Sequence, residues 1–416
     1  MNVTTKSKDT DKKPKSCNVF LIVLVVIILG VVIFYAYSHV KSHTKKVTTQ
    51  PKRVRLLLRN YNPEAGFFWV IYNVMCANFT AERHGFELVV LLDSGLYLET
   101  NPEFLREHSE VLTGVEDNWF RYYFESMWKA HSDTTLKPTG GVVSFSRYNT
   151  MPAKERDNVE WWEFDRDAYN TRDMFGLNFS QQWAKTCVLR PHIRAEFNSF
   201  CKDQVLPFAA NEVGYANKVQ PQQQQQIMYV GMHYRGSDKF GDAQSTEDDP
   251  EHCPYAFVVK LFNDWRNRSR AVSNCLSVVL IVCSDETAFV DFVSDAMRGD
   301  PMVRVVYTDA VRSAVCTSGL TLDRLRCGTM KIAIPGIHHQ DDVLYRDLAK
   351  QSVHRGHKHV SSYVKGKQAL IDVLLLSRCD VFFRSRGNFS NAPAFIRPSM
   401  EVIDVADEYR KAGRPP

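Results

Sequence analysis

The sequence lacks several features that would place it in a well-known class. It has no Cys-x-x-Cys pair and no cysteine-histidine spacing typical of structural zinc, although it contains ten cysteines. Its net charge is only +5, and much of the basic excess lies near the N-terminus, which argues against nucleic-acid binding. The sequence therefore predicts neither a structural zinc site nor a nucleic-acid partner.

The sequence also has only one long hydrophobic run, residues 19–37. This run, VFLIVLVVIILGVVIFYAY, carries no charge, and as a helix its length of about 28 Å matches the hydrocarbon core of a bilayer. It ends in aromatic residues that suit the membrane interface, which favours an uncleaved signal anchor over a cleaved signal peptide. We therefore expect a cytosolic tail at 1–18, a transmembrane anchor at 19–37 and a polar stem at 38–53.

The orientation of this anchor does not follow from its flanking charges, because lysine and arginine are about equally frequent on both sides. The absence of a second hydrophobic span means that the rest of the chain stays on one side of the membrane. Four N-glycosylation sequons favour the lumenal side, at Asn78, Asn178, Asn267 and Asn388.

Cysteines in such a lumenal part would meet an oxidising environment. We favour the pairings Cys187 with Cys201 and Cys316 with Cys327, and buried free thiols are the alternative.

The chain from Val54 onward shows the alternation of strand and helix patterns that is typical of α/β proteins. In a first domain, residues 54–218, the run RVRLLL predicts a strand, residues 66–84 predict a helix, and residues 87–92 predict a buried strand. This order predicts a first parallel sheet.

A glutamine-rich tract at 219–226 has no apolar face to bury and marks a domain boundary. The second domain, residues 227–416, again alternates apolar strand patterns with helical stretches. Such an alternation predicts a doubly wound parallel sheet, which binds ligands outside the carboxyl ends of its strands. The predicted strands are 227–234, 275–284 and 303–309, and the predicted helices are 253–268 and 367–378.

A polar cluster follows the first strand of the second domain: His-Tyr-Arg-Gly-Ser-Asp-Lys at 233–239. Alternation along the strand places His233 and Arg235 on one face, and Gly236 allows the backbone to turn close to a ligand. An arginine at this place suits bidentate binding of a diphosphate. Taken alone, the cluster would also fit a surface ion pair between Arg235 and Asp238.

Two further clusters follow predicted strands. Asp285 and Glu286 end a very apolar strand, where they would accept hydrogen bonds from sugar hydroxyls or cap the next helix. Residues 366–395 predict an apolar helix, a strand VFF, a polar loop and a second helix. The backbone amides at the start of that second helix form a predicted anion site, and loop capping is the alternative. The loop contains Ser385, Arg386, Gly387, Asn388, Phe389 and Ser390.

In this order, the three clusters resemble the donor-binding half of the fucosyltransferases that share a His-x-Arg-Arg-x-Asp motif. The α1,6-fucosyltransferases of animals and the nodulation fucosyltransferases of rhizobia are the groups that the chain resembles, most strongly over 228–240, 279–289 and 363–397. The resemblance implies a GT-B fold, in which two Rossmann-like domains face each other across a cleft. Here that fold would follow one transmembrane helix.

The same resemblance implies GDP-β-L-fucose as the donor and a glycan or glycoprotein as the acceptor. Arg235 would hold the β-phosphate, and Asp372 would contact the guanine. His233 and Asp238 would shape the pocket. The chain would then be a single-pass type II Golgi membrane enzyme with its catalytic part in the lumen. The sequence leaves open whether it forms a homodimer. The implied donor-binding residues are His233, Gly236, Asp238, Asp285, Glu286, Asp372, Ser385, Arg386, Gly387, Asn388, Phe389 and Ser390.

The chain departs from the family pattern at two places. Gly236 stands where many members have a second arginine, so that neutralisation of the phosphates relies on Arg235, with help from Arg384 or Arg386. An insertion displaces the glutamate that the α1,6 enzymes place shortly after the lysine. Among the candidates, we favour Glu251, because it directly precedes Cys-Pro-Tyr and the next helix; the others are Glu247, Asp248 and Asp249.

Transfer from a β-linked donor to an α-linkage inverts the anomeric carbon, which requires one in-line displacement with oxocarbenium character. Arg235 and Lys239 suit stabilisation of the departing GDP, and Glu251 suits deprotonation of the acceptor hydroxyl. No metal or other cofactor is required if side chains neutralise the diphosphate.

Two alternatives belong to other classes. A metal-dependent GT-A transferase would use Asp165-Arg-Asp167, but the preceding NVEWWEF is unlike the buried strand expected before such a motif. A membrane-anchored lectin-like protein on a degenerate transferase fold would explain the anchor and the sequons equally well. Four intact motif residues count against such a degenerate protein: His233, Arg235, Asp238 and Asp372.

Overall fold

The computed structural model describes ten segments that all belong to one compact unit, Val54–Pro416. The predicted anchor at 19–37, the stem at 38–53 and residues 219–225 of the glutamine tract lie outside these segments. Within the described segments, no helix is both long enough and apolar enough to cross a bilayer. The described residues are 54–59, 65–115, 118–125, 141–164, 177–206, 226–235, 253–272, 276–313, 360–385 and 387–413.

The first half of this unit contains a four-stranded parallel sheet. Its spatial order is β2-β1-β4-β3, and its strands are β1 (Arg55–Arg59), β2 (Glu87–Leu91), β3 (Val143–Ser144) and β4 (Trp161–Glu163). Helix α1 (Phe67–His84) connects β1 to β2 and buries an apolar face that contributes to the core. The strand, helix and strand predicted for residues 54–92 are confirmed.

Strand β4 shows that one expectation was wrong, because NVEWWEF does contain a buried strand. Trp161 and Trp162 are 7% and 1% exposed, and β4 pairs with β1 on one side and β3 on the other. The strand is only three residues long, so two tryptophans suffice to bury it while charged residues flank it. The pair Asp165 and Asp167 therefore comes shortly after a buried strand, but both aspartates lie outside the described residues.

Shorter helices follow in the first half: α2 (Pro102–Glu107), α3 (Ser109–Leu112), α4 (Phe120–Tyr123), α5 (Ala153–Arg156), α6 (Phe179–Thr186) and α7 (Pro191–Phe200). A π-helical turn, Cys201–Val205, directly continues α7.

Helix α7 also overturns the predicted pairing of Cys187 with Cys201, since both are free thiols. The helix lies between them, and its ten residues span about 15 Å, more than the roughly 7 Å that a disulfide allows between Cα atoms. Cys316 and Cys327 lie outside the described residues.

The second half contains a five-stranded parallel sheet with the order β7-β6-β5-β8-β9. Its strands are β5 (Gln226–Tyr234), β6 (Leu276–Ser284), β7 (Val303–Val306), β8 (Val381–Arg384) and β9 (Glu401–Asp404). The helices are α8 (Tyr255–Val272), α9 (Thr287–Ala296), α10 (Ser362–Leu376), α11 (Asn388–Ile396) and α12 (Val405–Lys411). The predicted second parallel sheet is confirmed, so the chain is an α/β protein with two parallel sheets.

The strand order reverses at β5, which has β6 and β7 on one side and β8 and β9 on the other. In doubly wound sheets, ligands bind at such a switch point, outside the carboxyl ends of the strands. For this sheet, the switch point lies between the ends of β5 and β8.

The two faces of β5 carry different side chains, as its alternation predicts. Tyr234 points to the face covered by α8 and α9, where it stacks on Phe289 at 4.6 Å between ring centroids. His233 points to the opposite face, where its ring stacks on Phe389 of α11. That opposite face belongs to a hydrophobic core that continues into the first half of the unit.

Gly366 of α10 allows the two halves to approach each other closely. A Cβ atom at this position would lie 2.2 Å from the hydroxyl oxygen of Tyr123, far inside van der Waals contact. The Tyr123 hydroxyl donates to the backbone oxygen of Tyr363 at 3.0 Å, and the two rings stack. The contact between α4 and α10 therefore requires a residue without a side chain at position 366.

Candidate active site

The candidate site lies at the switch point of the second sheet, where β5 and β8 end side by side. His233 and Arg384 are partners in the register of these strands, and the Ser385 amide donates to the backbone oxygen of His233 at 3.1 Å. Arg235 and Ser385 thus leave the sheet at the same edge, next to the start of α11. Parallel pairing alone brings together two clusters that are about 150 residues apart in the sequence.

His233 is a neutral, fully held side chain. Its Nδ1 lies 2.7 Å from Oγ of Ser390 and 3.0 Å from Oγ of Ser385, and its ring stacks on Phe389 at 4.6 Å. Burial, together with the nearby charge of Arg235, lowers the pKa of His233 to about 3. We assign the ring proton to Nε2, because the closer hydroxyl of Ser390 then donates to Nδ1. His233 therefore adds no positive charge to this edge, whereas Arg235 does.

Arg235 lies alongside Gly387, the residue immediately before α11. A Cβ atom at position 387 would lie 3.6 Å from Nη1 and 3.8 Å from Cδ of Arg235. Gly387 has φ = 145°, a conformation that other residues rarely adopt, so glycine is needed to start the helix here. A guanidinium group is thereby placed beside the N-terminus of a nine-residue helix.

This arrangement brings two positive groups together. The first backbone N–H groups of α11 have no acceptor within the helix, and they carry the positive end of the helix dipole. An anion that lay near both would be attracted by the guanidinium charge and by these amides. The geometry is therefore that of an anion site.

Helix α1 of the first half supports the start of α11. The hydroxyl of Tyr72 donates to the backbone oxygen of Asn388, and the Phe68 ring packs edge-on against Phe389 at 5.4 Å. Burial raises the pKa of Tyr72, so its hydroxyl keeps the proton that it donates. The sequence gives no sign of this role for Tyr72, because nothing in a helix pattern marks one aromatic residue as the partner of a distant loop.

Asp372 lies on α10 and is almost completely buried, with 5% of its surface exposed. Its Oδ1 accepts a hydrogen bond of 2.6 Å from the Thr308 hydroxyl, which follows β7. Desolvation raises the pKa of Asp372 to about 6, while the Thr308 hydroxyl and the charge of Arg312 oppose that rise. Asp372 therefore sits near the carboxyl ends of β6 and β7, to one side of the switch point.

The paired acids after β6 have different surroundings. The backbone oxygen of Asp285 accepts from the Ser313 amide at 2.7 Å. Glu286 is fully buried and accepts a hydrogen bond from the Tyr255 hydroxyl, on the same side as Tyr234 and Phe289. The Glu286 carboxylate is thus directed into the core and away from the face that carries His233.

Arg384, which the sequence offered as a second phosphate ligand, has other partners. Its Nη1 donates to Oδ1 of Asn391 at 2.6 Å, and its Nη2 lies 3.4 Å from Oδ2 of Asp404. These contacts tie β8 to α11 and β9.

Several predicted site residues lie outside the described residues: Gly236, Asp238, Lys239, Glu251 and Arg386. In the segments that the structure does describe, no three His, Cys, Asp or Glu side chains come together as a metal site would require.

Thr308 and Arg312 are neighbours of Asp372 that sequence analysis missed. The pattern VRVVYTD predicted one strand up to residue 309, whereas β7 ends at Val306. Thr308 therefore belongs to the loop at the carboxyl edge of the sheet. With the strand ended at its true position, Thr308 would lie just after it. Polar residues just after such strands are candidates for ligand binding.

No protein-family model matches the chain, and no curated protein is similar in sequence. Among solved structures, NodZ α1,6-fucosyltransferase soaked with GDP-fucose is 15% identical, with a TM-score of 0.42, over 83% of this chain and 94% of that protein. The same enzyme co-crystallised with GDP is 15% identical, with a TM-score of 0.42, over 85% and 95%. A mutant of Arabidopsis thaliana FUT1 in complex with GDP is 8% identical, with a TM-score of 0.37, over 83% and 68%.

Proposed function

We propose that this protein is an inverting, GT-B type fucosyltransferase that transfers L-fucose from GDP-β-L-fucose to a glycan or glycoprotein. The observation that carries the proposal is the position of Arg235 beside Gly387, at the N-terminus of α11 and at the switch point of a parallel sheet. Two positive groups at a ligand-binding edge suit a diphosphate. The choice of GDP-fucose rests on the resemblance of residues 233–239 to the fucosyltransferase motif.

The donor would lie along the carboxyl edge of the second sheet. Its diphosphate would contact Arg235 and the first amides of α11, and its guanine would lie near Asp372. A carboxylate can accept hydrogen bonds from both N1–H and the 2-amino group of guanine, which no other common base offers together. His233 would act indirectly, because Ser385, Ser390 and Phe389 already occupy one side of its ring.

Catalysis would rest on charge that is already in place. As the bond between fucose and phosphate breaks, negative charge develops on the departing GDP, and Arg235 with Lys239 would stabilise it. Glu251 would take the proton from the acceptor hydroxyl, and the attack would come from the face opposite the leaving group. No metal ion would be needed in this scheme.

The cellular setting belongs to the same proposal. Residues 19–37 would anchor the chain in the Golgi membrane as a single-pass type II protein, with residues from Val54 onward in the lumen. Of the four sequons, those at Asn178, Asn267 and Asn388 have exposed asparagines, but the hydroxyl residues Thr80 of the Asn78 sequon and Ser390 of the Asn388 sequon are fully buried. N-glycans are therefore expected at Asn178 and Asn267.

The test is to incubate the full chain with GDP-fucose carrying labelled fucose, with and without EDTA, on an array of glycans and peptides. Transfer to one class of acceptor that persists in EDTA would support the proposal. Loss of transfer in EDTA, restored by manganese, would favour the GT-A alternative, in which Asp165 and Asp167 after β4 hold the metal. Glycan binding without transfer would favour the lectin-like alternative.

A further inference from the structure

A short segment after β7 holds Asp372 in place. This segment, residues 307–313, runs along the carboxyl edge of the second sheet next to α10. It contacts Asp372 through one side chain and α10 through two backbone groups.

The side-chain contact is the hydrogen bond from Thr308 to Asp372. The Thr308 hydroxyl donates to Oδ1 of Asp372 at 2.6 Å, and both residues are buried, at 7% and 5% exposure. A short bond between two buried groups fixes the rotation of the carboxylate. With Oδ1 bound to Thr308, the orientation of Oδ2 is set as well.

The backbone of the segment is held by two longer side chains. Arg312 donates to the backbone oxygens of Thr308, at 2.6 Å, and Ala310, at 3.1 Å. Gln368 of α10 accepts from the Val311 amide at 3.1 Å and donates to the backbone oxygen of Asp309 at 3.3 Å. Because Gln368 precedes Asp372 by four residues, both lie on one face of α10. The segment is thus locked onto the same helix face that carries Asp372.

We propose that Thr308 is a positioning residue for nucleotide selectivity, which aims the Asp372 carboxylate at the base, and that Arg312 and Gln368 hold Thr308 in place. The inference rests on the proposed function, in which Asp372 contacts guanine. It adds that discrimination of the base depends on a residue that does not touch the nucleotide.

The charged and titratable groups around Asp372 give this role a second consequence. Arg312 faces it from the segment after β7, and the Cys283 thiol faces it from β6, with its sulfur 4.0 Å from the Asp372 backbone oxygen. Thr308 and Arg312 both lower the pKa of Asp372, against the larger effect of burial. Only the ionised carboxylate accepts two hydrogen bonds from guanine, so loss of the Thr308 hydroxyl should move the loss of guanine binding to higher pH.

The experiment compares the affinity of the full chain for GDP, IDP and UDP between pH 5 and 8, by titration calorimetry. IDP lacks the 2-amino group but carries the same phosphates, so the ratio of the two affinities isolates the contact with the base. The variants are Thr308→Val, which removes the hydroxyl at equal size, and Thr308→Ser, which keeps it. Thr186→Val is the control, since Thr186 is also buried but donates to Gln182 within α6.

We expect Thr308→Val to weaken GDP binding about tenfold at neutral pH, while IDP binding falls less. The midpoint for loss of GDP binding should move above the wild-type value, and Thr308→Ser and Thr186→Val should match the wild type. If Thr308→Val does not fold, Thr308→Ala is measured against Thr308→Ser in the same way. One outcome is that the wild type prefers GDP over IDP while Thr308→Val changes neither the ratio of the two affinities nor the pH midpoint. That result would overturn this inference but not the proposed function. Equal binding of GDP and UDP by the wild type would overturn the proposed function itself.

Discussion

The carboxyl edges of the two sheets differ in chemistry although both sheets are parallel. Beyond the first sheet lie large, fully buried aromatic residues: Tyr97, Trp119 and Phe164 are each at most 1% exposed. Beyond the second sheet lie His233, Arg235 and the polar segment around Thr308. Among the described residues, large aromatic side chains fill the first edge, whereas the second presents charge and hydrogen-bonding groups.

The difference suggests a division of labour within one unit. The aromatic edge of the first half packs Phe67 against Tyr97, Trp119 and Tyr123 at 5.1–5.4 Å between ring centroids. From the same helix α1, Phe68 and Tyr72 reach the start of α11. The first half therefore supports the second half through packing contacts. The proposed donor-binding groups lie in the second half.

The sharpest test of this division is Arg235→Lys. Lysine keeps the charge but loses the planar fork, and Gly236 offers no second guanidinium group. We expect turnover to fall about a hundredfold or more, because the charge matters most as the bond breaks. GDP affinity should fall much less and the melting temperature should hardly change. Turnover, the GDP dissociation constant and Tm are measured together.

Arg384→Lys is the matched control, since Arg384 lies beside His233 on the neighbouring strand but contacts Asn391 and Asp404. It should lower Tm while leaving turnover within a few-fold. The account fails if Arg235→Lys retains near-wild-type turnover. It also fails if this substitution lowers Tm strongly, as the loss of a structural ion pair would.

The mechanical role of the first half is tested by Gly366→Ala. The added methyl group would collide with the Tyr123 hydroxyl, so the contact between α4 and α10 must open. We expect the free energy of unfolding to fall by about 2 kcal/mol, as in overpacked cores. Urea unfolding measures the change. The control is Gly141→Ala, because Gly141 is exposed and its added methyl group would have no neighbouring atom within 4 Å. Equal effects of the two substitutions would contradict this view of the junction.

Asp372→Asn should separate binding from stability. Because burial raises the pKa of Asp372 to about 6, the folded protein disfavours the carboxylate above that pH and gains relative stability below it. Asparagine still accepts from Thr308 but carries no charge. The variant should therefore be more stable than the wild type above about pH 6, by at most roughly 3 kcal/mol, and the difference should close toward pH 4.

Binding should change in the opposite direction, since the amide cannot accept two hydrogen bonds from guanine. GDP affinity is expected to fall about tenfold or more at neutral pH. Undiminished GDP binding by Asp372→Asn, measured by calorimetry beside thermal unfolding from pH 4 to 8, would remove Asp372 from the donor site.

The smallest effect on binding is expected for Glu286→Gln. The sequence places Glu286 beside Asp285 as a ligand of the donor, but its carboxylate lies in the core against Tyr255. Glutamine is nearly the same size and its side-chain oxygen can still accept from the Tyr255 hydroxyl, so Tm should change little and the GDP dissociation constant should stay within about twofold. A large loss of GDP affinity at unchanged Tm would show that Glu286 reaches the donor after all.

The sequence was sufficient for the strands with long apolar runs and for the face of β5 that carries His233. The sequence does not predict strand β4, because three residues with charged neighbours give no apolar run. The partners of His233 were named as loop residues, but their hydrogen bonds depend on the register of β5 against β8, which no local pattern contains. Thr308 was missed for a similar reason, since its contact with Asp372 joins residues 64 positions apart.

The central claim is that the polar edge of the second sheet binds a guanosine diphosphate, and one measurement tests it most directly. The full chain is titrated with GDP, UDP and CMP in the presence of EDTA, and the dissociation constants are compared. The account predicts that GDP binds at least about tenfold more tightly than UDP, and that Arg235→Lys and Asp372→Asn reduce this binding by a small and a larger factor respectively. Equal or tighter binding of UDP would contradict it.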